Sequence, residues 1–277
     1  KLSEKELVMR KEIILNGGWI FHKGDIAEPI SKDKGFIYCQ SKTERKLSGP
    51  AAYNYPDRLD QYFGGMINPE KWQWVDLPHD YVVYQDNDEN ENCALGYLHY
   101  DNAWYRKHFS LDASDKNKRI TLYFEGVATN ATVYLNGCLM KHNFCGYTPF
   151  EVDITDNVYF DRENILAVYT DSSSHEGWWY QGGGIYRNVW LIKTAEIAVD
   201  LWGIYVNPQK TDSENWDVNI ETTVLNCAYD NADFTLKSAL CTLDNSEIMH
   251  TEDNLSIDCK SKITANQKLN IANPLIW

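Results

Sequence analysis

Ile120-Thr121-Leu122-Tyr123-Phe124-Glu125, followed by Val133-Tyr134-Leu135-Asn136-Gly137, decides how this chain is read. Ile120, Leu122 and Phe124 fall on one face of an extended backbone and Thr121, Tyr123 and Glu125 on the other, which is the period of a strand with one side in a core. Asn136-Gly137 favours the primed two-residue turns whose twist matches that of paired strands, so the second stretch reads as a strand running into a hairpin. Working outward, further strands are expected over Asn164–Thr170 and Ile185–Ile192, the latter almost continuously apolar or aromatic and therefore central in its sheet. A helix is expected only at the start, where Ser3 and Glu6 make a capping box ahead of a short run ending near Arg10. Residues 31 to 71 are punctuated by Gly, Pro, Asp and Asn and read as a long loop with room for one strand, and Gln85 to Asn92 reads as a polar acidic loop.

Past Lys193 the pattern changes. Strands at 202–207, 216–225, 233–243 and 267–272 are separated by polar turns such as Asn226 to Asp230, as in a small sandwich. A boundary at about 194 gives a first sandwich over 1–193 and a second over 194–277, the latter expected to lack its closing strand. No β-α alternation occurs, so the fold class is all-β, and a parallel barrel or dinucleotide fold is excluded as the bulk architecture.

Composition narrows the partners. A chain of 277 residues has room for two cores. Its 26 Lys and Arg against 40 Asp and Glu give a net charge of −14, which argues against nucleic acid. The 18 Tyr and 10 Trp suit strands and the flat platforms that sugar rings pack on, although most such side chains fill cores. No stretch approaches the roughly 20 apolar residues of a spanning helix, and no basic-then-apolar leader opens the chain, so a soluble protein without a membrane partner is expected. The start at Lys1 leaves both a processed leader and a trimmed chain open. Cys39, Cys93, Cys138, Cys145, Cys227, Cys241 and Cys259 contain no C-x-x-C, and their odd number predicts mostly buried thiols in a reducing, bacterial cytoplasm. A Cys138–Cys145 bridge across a turn is the less favoured alternative.

Several segments, in order, resemble the N-terminal region of glycoside hydrolase family 2, which includes β-galactosidases, β-glucuronidases and β-mannosidases. They begin with Leu15-Asn16-Gly17-Gly18-Trp19 and Trp74-Val75-Asp76-Leu77-Pro78-His79-Asp80-Tyr81. Gly96-Tyr97 through Ala103-Trp104-Tyr105-Arg106-Lys107, Tyr123-Phe124-Glu125-Gly126-Val127 and Gly146-Tyr147-Thr148-Pro149-Phe150 follow. The last and most specific is Trp178-Trp179-Tyr180-Gln181-Gly182-Gly183-Gly184-Ile185-Tyr186-Arg187-Asn188-Val189-Trp190-Leu191. The resemblance implies a galactose-binding-like jelly-roll sandwich followed by an immunoglobulin-like sandwich, together the non-catalytic front of a retaining β-galactosidase-like enzyme. It implies a catalytic barrel elsewhere, whose two glutamates stand roughly 5 Å apart. The acid/base glutamate of the family has an Asn-Glu-Pro-like setting, and the only Asn-Glu here is Asn90-Glu91, followed by Asn92; no catalytic residue is assigned to this chain. A carbohydrate substrate and the catalytic domain are the implied partners, with a homo-oligomer as a further one. A free-standing carbohydrate-binding module or lectin is the alternative, as is a β-glucuronidase- or β-mannosidase-like parent.

The resemblance also implies that a loop of the first domain completes one wall of the sugar pocket. Glu176 is the candidate carboxylate for sugar hydroxyls, with Trp178, Trp179 and Tyr180 as stacking or pocket residues; the competing reading solvates Glu176 and packs the aromatics into the core. Asp80 either caps a turn or faces the pocket. Gly182, Gly183 and Gly184 precede a strand rather than a helix, so they point to close backbone approach and not to a phosphate cradle. Arg187 is expected to hold its strand by pairing with a buried carboxylate or carbonyls. His79, Asp80, His99 and Asp101 read as ordinary loop polarity rather than a metal or acid–base pair, and no metal or cofactor is expected. Sequons at Asn130 and Asn254 imply little.

Overall fold

The computed structural model describes residues 10–26, 49–55, 57, 72–173, 181–212, 214–272 and 274. Among these the regular structure is strand, with short 3₁₀ turns, and the chain divides into two compact units, Arg10–Lys193 and a second from Thr194 onward. The expected helix over residues 3–10 and most of the 31–71 loop lie outside the described residues.

In the first unit, β2 (Trp19–Lys23), β3 (Gln73–Val75), β4 (Asn102–Phe109), β6 (Ala131–Leu135), β7 (Cys138–Asn143) and β9 (Asn164–Asp171) form an antiparallel sheet in the order β3-β2-β4-β9-β6-β7. β1 (Lys11–Ile14), β5 (Lys118–Phe124), β8 (Phe150–Asp153) and β10 (Val189–Ala195) form a second, ordered β1-β10-β5-β8. Alternation decides what lies between them. Trp19, Phe21, Tyr105, Leu135 and Val168 from one sheet meet Ile120, Leu122, Phe124, Val152 and Leu191 from the other in one buried cluster. Burial of each such side chain contributes about 1.5–3 kcal/mol. The hairpin forms as the dipeptide predicts: Asn136 and Gly137 take φ of +53° and +85° between β6 and β7.

The second unit pairs β11 (Ile197–Lys210), β12 (Asn215–Asn226) and β15 (Ser261–Ala272) in one sheet, and β13 (Ala232–Cys241) with β14 (Glu247–Ile257) in another. Val224, Leu236 and Ile257 are the centre of its core. This is the all-β, two-sandwich class expected from the sequence.

Three expectations are corrected. The strand expected over Ile185–Ile192 begins only at Val189, because Gly184, at φ +109°, forms an isolated bridge with Ala128 and the chain stays irregular until β10. β14 was not anticipated: Thr251 and Asp253 interrupt Met249, Leu255 and Ile257 on its inward face and break the apolar alternation. The thiols are not mostly buried either; Cys93, Cys241 and Cys259 are exposed, and Cys138 is a half-buried free thiol that makes no bridge to Cys145.

Candidate functional site at the loop end of the first sandwich

Strand direction gathers four loops at one end. Asn102, where β4 begins, pairs with Asp171, where β9 ends; Ala131, where β6 begins, pairs with Asn143, where β7 ends. Phe124 at the end of β5 pairs with Phe150 at the start of β8. Short connections join β5 to β6 and β7 to β8, so 125–130 and 144–149 lie at this end, where β9 also ends; the 76–101 connection leaves β3 at the other end of the sheet, where Val75 pairs with Trp19, and arrives here to enter β4 at Asn102.

Two of these loops are laced together. His79 N donates to Ile185 O at 2.8 Å and Tyr81 N to Gly183 O at 3.0 Å. In the other direction Gly183 N donates to Asp80 Oδ1 at 3.0 Å, and the same oxygen takes Val82 N at 3.0 Å and Val83 N at 3.2 Å. Gly184 exchanges two backbone bonds with Ala128, at 2.6 and 2.9 Å, which ties in the third loop. The glycines are there for space: a Cβ would overlap Asp80 Oδ2 at Gly182, Val82 Cγ2 at Gly183 and the Tyr105 hydroxyl at Gly184. Below this lacing several polar groups find partners inside the core. The Tyr105 hydroxyl and His79 Nδ1 share a hydrogen bond of 2.8 Å, Tyr81 donates its hydroxyl to Asp101 O, and Ser172 Oγ donates to Ala128 O at 3.0 Å. Burial pushes the Tyr81 phenol up to about 12 and Tyr105 well above its usual range. It also lowers His79 despite the opposing charge of Asp80, so His79 is neutral near pH 7.

Above it sits a patch of three tyrosines. Tyr147 is 60% exposed. Tyr100 is half-buried, and its hydroxyl accepts from Gln181 N at 3.3 Å. Tyr186 donates to Gly146 O at 2.7 Å and carries the Arg187 guanidinium 5.6 Å from its ring centre. Burial raises the Tyr100 phenol, and the neighbouring Asp80 and Tyr147 raise it further; burial raises Tyr186 against the pull of Arg187. Neutral phenols beside a carboxylate and a guanidinium offer hydrogen bonds and flat faces for the C–H side of a sugar.

The structure therefore brings Asp80 and Gly184 together, Asp80 with the turn-capping role weighed for it. Glu176, Trp178, Trp179 and Tyr180 lie outside the described residues; Gln181, which follows them in sequence, meets the patch through the Tyr100 hydroxyl. Arg187 is exposed, and its guanidinium lies over the Tyr186 ring; no carboxylate partner for it occurs among the described residues. Among the described residues Arg106 is buried in β4 against Asp57, and Arg119 of β5 pairs with Asp153 of β8. His99 meets Glu91 at 2.6 Å and Asp101 at 3.8 Å on the surface, and no group of side chains suited to a metal occurs among the described residues. Tyr100, Tyr147 and Tyr186 were not selected from sequence. All three lie inside the motif segments, which was the available signal.

Residues 77–182 match the family model described as glycosyl hydrolase 2 galactose-binding domain-like. A β-galactosidase of Bacteroides ovatus is 34% identical over 209 residues, covering 74% of this chain and 25% of that protein. A β-glucuronidase of Formosa agariphila is 30% identical over 239 residues, covering 76% of this chain and 24% of that protein. Among solved structures, a glycosyl hydrolase family 2 member from Bacteroides cellulosilyticus is 26% identical with a TM-score of 0.73, over 96% of this chain and 32% of that one. The chain thus spans about a quarter of the length of these two relatives.

Proposed function

As a chain whose residues 77–182 belong to the galactose-binding-like domains of glycoside hydrolase family 2, this polypeptide is, we propose, the non-catalytic N-terminal part of a retaining β-galactosidase-like enzyme. The observation that carries the proposal is the pair of glycosidase relatives, each matched over about three quarters of this chain by only a quarter of its own length. The loop end of the first sandwich borders the sugar site, and the acid/base and nucleophile glutamates belong to a catalytic domain outside these 277 residues. Asp80 and the Tyr100, Tyr147 and Tyr186 patch support this assignment of the border. Glu176, Trp178, Trp179 and Tyr180 are proposed as its wall, Glu176 accepting sugar hydroxyls and the aromatics packing against the ring. A β-glucuronide is the second substrate reading, favoured by the Formosa agariphila relative.

The test compares the chain 1–277 with the full-length protein on chromogenic β-galactoside and β-glucuronide. Turnover is expected from the full-length protein alone, and the preferred glycoside decides between the readings. Turnover by 1–277 that depends on one of its own carboxylates would overturn the proposal.

A further inference from the structure

We propose that Asp80 is a positioning residue for the sugar-facing patch, acting through the Gln181–Ile185 strap and not by touching sugar. The inference rests on the border reading above. Of the three amides that Asp80 Oδ1 accepts, two belong to its own turn, and the third, Gly183 N, lies 103 residues away in sequence. That bond adds a side-chain anchor to the strap's backbone bonds with His79 and Tyr81. The strap in turn supplies Gln181 N, which holds the Tyr100 hydroxyl, and leads directly into Tyr186. Gly182 closes the arrangement, since the second oxygen of Asp80 occupies the place a side chain there would need. A carboxylate oxygen with three amide donors is a fixed, charge-assisted anchor, and its capacity is already used by the protein.

The chemistry separates anchor from ligand. Asparagine keeps an acceptor oxygen for the three amides but replaces the second oxygen with a donor, whereas alanine removes both. In the full-length enzyme D80A is expected to raise KM for the β-galactoside at least about ten-fold, with kcat within about three-fold, because positional error is paid in binding. D80N should return KM to within about three-fold of the parent. If D80N is as damaging as D80A, the carboxylate meets the sugar directly and the proposal is overturned; an unchanged KM in D80A overturns it as well.

Should D80A fold poorly, Gly182→Ala gives the same readout from the other side: its methyl displaces Asp80 without deleting the acceptor, and an unaltered KM sinks the idea. Amide exchange on 1–277 provides a measurement independent of catalysis. Gly183 N–H should lose at least about ten-fold protection in D80A and keep it in D80N; equal protection in all three proteins refutes the tie. A full-length protein inactive on both glycosides would defeat the functional reading while leaving the exchange result to judge Asp80.

Discussion

Replacing Asp57 with alanine tests a deeply buried ion pair of the first sandwich. Arg106 lies in β4 with its side chain at 0% exposure, and its Nε donates to Asp57, itself 3% exposed. Arg106 Nη1 also donates to the Pro50 and Ala52 carbonyls, so the guanidinium ties Pro50, Ala52 and Asp57 to the sheet. Burial by itself would raise the Asp57 pKa, but the His108 hydrogen bond and the Arg106 charge outweigh it and hold the carboxyl below its usual range. With Asp57 gone, a fully buried cation keeps two carbonyls and loses its counter-charge, a situation that costs about 3–5 kcal/mol. For a unit of this size that is a fall in Tm of about 6–20 °C. Urea unfolding of 1–277, followed by tryptophan fluorescence at an unchanged m-value, reads the loss. A decrease under about 1 kcal/mol would refute the reasoning. So would failure of a second change, Arg106→Met, to recover part of the loss in the Asp57→Ala background, since removing both charges of a buried pair is far less costly than removing one.

Two further outcomes follow from the same unit. Burial pulls the His108 pKa down, but hydrogen bonds with Asp57 and Glu163, at 2.9 Å each, outweigh it and leave the imidazole raised. The folded state then holds the proton more tightly, so His108 stabilises fully below its unfolded pKa of about 6.5 and ceases to as pH rises through the folded value. The stability gap between the parent and His108→Gln should accordingly narrow as pH rises from about 6.5 through the raised folded value; a gap that stays constant as pH rises past neutrality contradicts it. In the β6–β7 hairpin, Asn136→Ala should destabilise by roughly 2–4 kcal/mol against about 1 for Gly137→Ala. Asn136 is buried and bonds Asn157 O, Asn164 Oδ1 and Ile165 N, whereas Gly137 loses only its ease at φ +85°. Chemical denaturation giving the reverse order would show that the turn, not the amide network, sets the cost.

What could be read from sequence was local. Ile120, Leu122 and Phe124 announce their strand because alternation needs no knowledge of the partner, and Asn136-Gly137 announces its turn because φ is a property of the residue. That Asn136 also closes a buried network with Asn157 and Asn164 was illegible, since those partners arrive from another connection. Polar β14 went unseen for a related reason. Its inward face is half-buried, so Thr251 and Asp253 are tolerated at positions where a periodicity argument looks for Val or Leu. The arginines show the same limit. Arg187 stood in a recognisable motif and proved exposed, while Arg106, between Tyr105 and Lys107, gave no sign that Asp57 would reach it from 49 residues away.

The glycine strap is where these two kinds of knowledge meet. Three successive glycines ahead of a strand say that something comes too close for a side chain, and sequence goes no further than that. The structure supplies the neighbours: the Asp80 carboxylate, Val82 and the Tyr105 hydroxyl. Tyr105 is a fully buried member of the sandwich core, packed on Phe21 with ring centres 4.9 Å apart. The strap therefore rests directly on the core, with no mobile layer between Gly184 and Tyr105 to absorb a displacement. In a close-packed interior a shift of Phe21 or Tyr105 is transmitted, not dissipated. Substitutions in the core beneath the strap should consequently disturb the patch of Tyr100 and Tyr186 even when neither is altered, which makes the sandwich part of the geometry of the site and not merely its support.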